Sequence, residues 1–214
     1  MLDQAAITIE HTLLNMTRTA HWKDRWWLLD VETSGLHPQE AEIIALYLAC
    51  IEDFSVVEER VILIRPQKPL EPRAESLTGI SNRDLERGIP LEDAMGQLKE
   101  LEGEHFLILD RGFVLPFLER ACAQYHIAYK PQCVLLDRLA VLLLRGPDRR
   151  RISLKTGNLL EMLPDPPSSW PNVPPNTPSL KDRYRLALAL LGKLAVEYDV
   201  HDTSQLVHLF ESEG

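Results

Sequence analysis

The stretch that leaves this chain the fewest choices runs Trp26-Trp27-Leu28-Leu29-Asp30-Val31-Glu32-Thr33-Ser34-Gly35-Leu36. An apolar run that meets Ser34-Gly35 and then His37-Pro38 predicts a short buried strand ending at the edge of a sheet. Side chains alternate faces along a strand, so Asp30 and Glu32 point the same way while Val31 points into the core. Two carboxylates that share a face repel each other and raise a pKa unless a cation sits between them. Hard divalent ions favour such oxygen ligands. The strand end is therefore half of a metal site.

Around that strand the chain has room for one ordinary domain, since 214 residues bury a substantial core. Residues 1–25 carry apolar positions at Ile7, Ile9, Leu13, Leu14 and Met16 and predict an amphipathic helical extension ahead of the sheet. Glu42 to Ile51 and Val56 to Ile64 are apolar runs joined by the short acidic link Glu52-Asp53, which makes them antiparallel neighbours. Pro66, Pro69 and Pro72 then break regular structure and lead the chain along the surface. Ser81 or Asn82 is placed to cap a short helix holding Asp84 and Leu85.

From there helix and strand alternate: a helix from Leu91 to Leu101 ending near Gly103, a strand from His105, a helix from Phe113 to Tyr125, a strand at Cys133 and a helix from Asp137 to Leu144. Alternation of this kind predicts an α/β domain with parallel pairing around the first strand. A basic run at 145–151 precedes a helix that Ser153 can cap. Residues 164–178 hold seven prolines in fifteen positions and predict an extended surface loop. A long helix to Tyr198 and a short one from Thr203 to Phe210 close the chain.

Charge limits the partners. A net charge of −9 gives no long-range steering towards phosphates, so tight nonspecific binding to duplex DNA is not expected of the chain alone. No run approaches the ~20 apolar residues of a membrane span, and the N-terminus lacks the order of a signal peptide. The expectation is a cytoplasmic protein without a membrane partner. Cys50, Cys122 and Cys133 are odd in number and set in apolar sequence, which predicts buried free thiols.

The string Leu-Asp-Val-Glu-Thr-Ser-Gly-Leu resembles the first motif of the DEDD 3'-5' exonucleases, the family of the proofreading epsilon subunit of bacterial DNA polymerase III, with Ser34 in place of a Thr. Thr78-Gly79-Ile80-Ser81 is similar to a stretch in which that family carries His at the first position. The resemblance implies a ribonuclease-H-like exonuclease fold over 26–214, with a central mixed sheet, an antiparallel meander followed by parallel strands, flanked by helices. It implies hydrolysis at two divalent ions held by four carboxylates, with a His or Tyr as general base. It places the terminal nucleotide at Thr33, Ser34, Gly35 and Leu36.

The remaining motifs depart from the family. Laid on Leu109 to Leu118, the second motif keeps its Phe and Phe-Leu landmarks but puts Val114 where the third carboxylate belongs, with Asp110 four residues earlier as an off-register substitute. The third motif falls on Asp182 to Leu190. There Tyr184 takes the base position and Leu188 or Ala189 the acid, and Arg183 through Val196 contains no Asp or Glu. The resemblance thus assigns Asp30, Glu32 and Tyr184 to catalysis and Asp30, Glu32 and Asp110 to metal, with magnesium or manganese as cofactor if hydrolysis persists and none otherwise. The favoured expectation is a degenerate member that has lost or weakened hydrolysis and binds a single-stranded nucleic-acid 3' end or a protein. The alternative is an active exonuclease with migrated ligands drawn from Asp110 and from Asp137 or Asp182.

Overall fold

The computed structural model describes residues 24–144, 178–203 and 205–206. The readings for the N-terminal extension, the basic run at 145–151, the helix after Ser153, most of the proline-rich loop and the end of the last helix lie outside these residues.

Five strands form one mixed sheet in the order β3-β2-β1-β4-β5. β1 (Trp26–Thr33), β2 (Ile43–Glu52) and β3 (Ser55–Leu63) make the antiparallel meander, while β4 (His105–Ile108) and β5 (Gln132–Leu135) add in parallel on the other side of β1. The central position of β1 follows from its composition. With Trp26, Trp27, Leu28, Leu29 and Val31 all buried, it is a strand covered on both faces.

The β2–β3 turn has Asp53 and Phe54 at φ +42° and +61°, the left-handed geometry that a two-residue hairpin demands, which Asp tolerates and the bulky Phe54 does not adopt cheaply. Phe54 is held there because its ring is buried in the core.

The two faces carry separate cores. Trp27, Leu29 and Val31 pack with α3 (Leu91–Lys99) and α4 (Arg111–Gln124), through Met95, Leu98, Val114 and Phe117. Trp26 and Leu28 pack with α5 (Leu136–Leu144) and α6 (Pro178–Tyr198). Within α6, Leu180, Tyr184, Leu186, Leu188, Leu190 and Leu194 are all buried, so it is a core helix rather than a surface one. At ~1.5–3 kcal/mol per buried large apolar side chain, this helix is a principal source of stability for its face of the sheet.

One segment differs from the sequence expectation. The proline-marked stretch after β3 is not irregular throughout: α1 (Pro72–Thr78) begins at the third of its prolines. A proline at the first helical position costs no hydrogen bond, and its fixed φ suits the helix. Gly79 ends α1 at φ +70°, its N–H donating to Glu75 O at 2.8 Å. Ser81 caps α2 (Asn82–Leu85) through a reciprocal box with Asp84.

Candidate active site

β1 delivers Asp30 and Glu32 to the face that carries Trp26 and Leu28, beneath α6, as period-two alternation requires. Asp30 is only 2% exposed. Its carboxyl is pushed up to about 6, first by burial and then by the nearby charge of Asp110, against the opposing pull of Arg183 and a backbone hydrogen bond from Val31. Glu32 is half-buried and also raised, by burial and then by Asp30, with Arg183 again opposing. Across the β1–β2 ladder from Asp30 lies Tyr47, whose hydroxyl is pushed up to about 12 by burial and then by the two carboxylates.

The cation in this cluster is a side chain. Arg183 Nη2 stands 2.8 Å from Asp30 Oδ2, with the guanidinium side chain 27% exposed. The N–H groups are not aligned on Oδ2, so the contact is an ion pair rather than a directed hydrogen bond. Arg183 is placed by the register of α6. The next residue, Tyr184, is fully buried and donates its hydroxyl to Phe54 O at 2.8 Å, at the hairpin turn beyond the opposite end of β1.

After β1 the chain makes a tied turn. Thr33 Oγ1 donates to Gly35 O at 2.6 Å, Ser34 N donates to Glu42 O at 2.9 Å, and Ser34 Oγ accepts from Glu42 N at 2.9 Å. A Cβ on Gly35 would lie 3.2 Å from the Ala41 methyl, and Ala41 O in turn accepts from Arg120 Nη1 of α4 at 3.0 Å. Four ties on a few residues leave little freedom, yet Leu36 at the tip is 77% exposed.

The other sequence-predicted residues are distributed as follows. Asp110 is the N-cap of α4, its Oδ1 accepting from Phe113 N at 3.1 Å, and its charge bears on both Asp30 and Asp137. Asp137 sits in the first turn of α5 and accepts from Arg138 N at 2.9 Å. Asp182 is exposed and 4.0 Å from Arg185. Val114 is 1% exposed and lies in the core on the opposite face of the sheet from Asp30.

The structure therefore gathers Asp30 and Glu32, brings the charge of Asp110 within range of Asp30, and directs the Tyr184 hydroxyl elsewhere. Sequence reasoning missed Arg183 and Tyr47. The signal for Arg183 was present: a buried carboxylate pair requires a countercharge, and the third-motif stretch offers no acid but does offer arginines.

The donors among the described residues do not by themselves fit a divalent metal. Among the described residues no three His, Cys, Asp or Glu side chains converge so as to hold an ion. The guanidinium already stands against Asp30 Oδ2, where it would repel one.

Residues 28–163 match the family described as RNase T, exonuclease. The chain is 33% identical over 121 residues to the 3'-5' exonuclease DinG of Bacillus subtilis, a match covering 54% of this chain and 12% of that protein. It is 31% identical over 88 residues to a DNA polymerase III of PolC type from Thermotoga petrophila, covering 41% of this chain and 6% of that protein.

Among solved structures it resembles product-bound exonuclease I, with a TM-score of 0.60 and 16% identity over 82% of this chain and 45% of that one. Escherichia coli exonuclease I in complex with a dT13 oligonucleotide gives a TM-score of 0.59 and 14% identity over 83% and 43%. The fold is a ribonuclease-H-like exonuclease fold. Among the described residues no helix is long and apolar enough to cross a membrane.

Proposed function

The chain belongs to the RNase T family of exonucleases, and on that premise we propose that it receives the 3' end of a single-stranded nucleic acid without cutting it, working beside a protein partner. The observation that carries this reading is the pairing of Asp30 with Arg183 where hydrolysis would call for an inorganic ion. Two divalent ions need more anionic oxygen than Asp30 and Glu32 supply, and the aligned third position is an aliphatic core residue, Val114. Activating a water needs a base within reach, and the Tyr184 hydroxyl is spent on Phe54 O.

The nucleic-acid part of the reading is supported by the tied turn at Thr33, Ser34, Gly35 and Leu36, which presents an exposed leucine just past the strand that carries the carboxylates. It is supported also by the fold, since exonuclease I is seen in complexes with dA16 and dT13 oligonucleotides. The protein partner is supported by the net charge of −9, which denies the chain an electrostatic grip of its own. The relatives carry this domain within much longer proteins, and exonuclease I is known in complex with SSB-Ct.

A second reading, a magnesium- or manganese-dependent 3'-5' exonuclease with migrated ligands, is favoured by one observation: Asp110 lies close enough for its charge to act on both Asp30 and Asp137. Arg183 stands against it. The two separate in one experiment, incubation of a 5'-labelled single-stranded oligonucleotide with the protein and manganese. Under the first reading the oligonucleotide stays full-length and its fluorescence anisotropy rises more for a free than for a blocked 3' end. Shortening that disappears in Asp30→Ala would establish the second.

A further inference from the structure

We propose that the Arg183 guanidinium is a resident cation: it occupies the seat an inorganic ion would take against Asp30, on the face of β1 shared with Glu32, and closes that seat to divalent metals.

Three observations carry this. Asp30 Oδ2 is buried and receives no directed hydrogen bond, yet a positive nitrogen stands 2.8 Å away, so charge rather than hydrogen bonding fills the space in front of it. The guanidinium stands on the face of β1 that Asp30 shares with Glu32, so the cation and both carboxylates lie on one side of the sheet. Its position is fixed by the helix: Leu180, Tyr184 and Leu186 around it are buried, and the Tyr184 hydroxyl is latched to Phe54 O.

A guanidinium stays charged at every physiological pH and is more weakly hydrated than an ammonium, which suits a half-buried seat. A divalent ion entering the cluster would have to displace it or tolerate its charge nearby. With Arg183 removed, two carboxylates from one strand and solvent are the sort of donors that magnesium or manganese accepts, one or two carboxylates with waters completing the shell.

The inference does not depend on the protein binding a nucleic acid. Shortening of the oligonucleotide by the wild type would overturn the functional reading above, whereas the cation seat is read from melting and direct ion binding alone. The full chain is melted in EDTA and in manganese, and manganese binding is followed by titration calorimetry. Wild type is expected to melt at the same temperature in both. Arg183→Ala is expected to gain a saturable rise of several degrees in manganese, which the double variant Arg183→Ala with Asp30→Asn loses. Arg183→Lys, which keeps the charge, should remain indifferent, and Arg183→Gln, which keeps much of the length, replaces alanine if alanine unfolds the chain. Equal manganese responses in wild type and Arg183→Ala overturn the proposal. So does a folded Arg183→Ala or Arg183→Gln protein that takes up no manganese.

Discussion

Arg183 Nη2 lies 2.8 Å from Asp30 Oδ2, and this single contact ties the last long helix to the central strand at the point where the two carboxylates meet. Burial of Asp30, which this contact only partly offsets, sets how stability responds to pH. The Asp30 carboxyl is raised from 3.8 to about 6, so the folded protein holds a proton there that the unfolded chain releases. The stability this contributes is fully present below about 3.8 and is lost as pH rises through about 6. Two pKa units correspond to ~3 kcal/mol.

Removing Arg183 takes away the group that favours the ionised form, so the Asp30 pKa moves higher still in Arg183→Ala. That variant should lose ~2–4 kcal/mol at pH 8, where a buried carboxylate is left without its cation, and clearly less at pH 5, where Asp30 is protonated. Urea unfolding at the two pH values, with carbon-13 NMR of the Asp30 carboxyl, checks both the size and the sign.

Tyr184 has a structural task. Its hydroxyl donates to Phe54 O in a turn where two non-glycine residues hold positive φ, so it braces a conformation that the local sequence does not favour. Tyr184→Phe should cost ~1 kcal/mol of stability, the usual net loss for one buried hydrogen bond. It should leave oligonucleotide binding unchanged. Denaturant unfolding and an anisotropy titration on the same samples measure the two effects.

The sheet was legible because period-two burial and turn residues are local signals. Trp26 to Val31 read as a short buried strand, and the parity of Asp30 and Glu32 followed from it. The residues that define the site electrostatically were not legible. Arg183 reaches Asp30 only through the packing of α6, and Tyr47 only through the β1–β2 register, both of which are tertiary facts. Pro72 marked a break in the sequence yet starts a helix, because proline is excluded from helix interiors but not from their first turn. Gly88 gave no signal at all, although a Cβ there would come within 2.8 Å of Arg65 N and Ile64 C, where Ile89 bridges to Ile64.

Leu36 separates binding from stability. At 77% exposure its side chain contributes little to the core, so Leu36→Ala should shift stability by no more than ~0.5 kcal/mol. If the turn receives a strand end, the same change removes an apolar contact from the terminal nucleotide. The affinity for a single-stranded oligonucleotide with a free 3' end should then fall about fivefold, roughly 1 kcal/mol. Anisotropy titrations with free and 3'-blocked oligonucleotides give the comparison, and an unchanged affinity would remove Leu36 from the binding surface.

Val114→Asp restores, in sequence, the acid that the second motif lacks. In the structure Val114 is 1% exposed and packs with Trp27, Leu29 and Val31, on the face of the sheet away from Asp30 and Glu32. An aspartate there meets apolar neighbours, so it bears the desolvation of a carboxylate without the return of a metal contact. The variant should lose ~3 kcal/mol or more, more at pH 8 than at pH 5 because protonation relieves the charge. It should gain neither manganese-dependent melting nor digestion of a labelled oligonucleotide. Arg183→Ala is the change expected to bring a metal response, because what keeps an ion out is the guanidinium already seated on Asp30. Digestion by Val114→Asp with Arg183 intact would show instead that the missing acid alone had silenced the site.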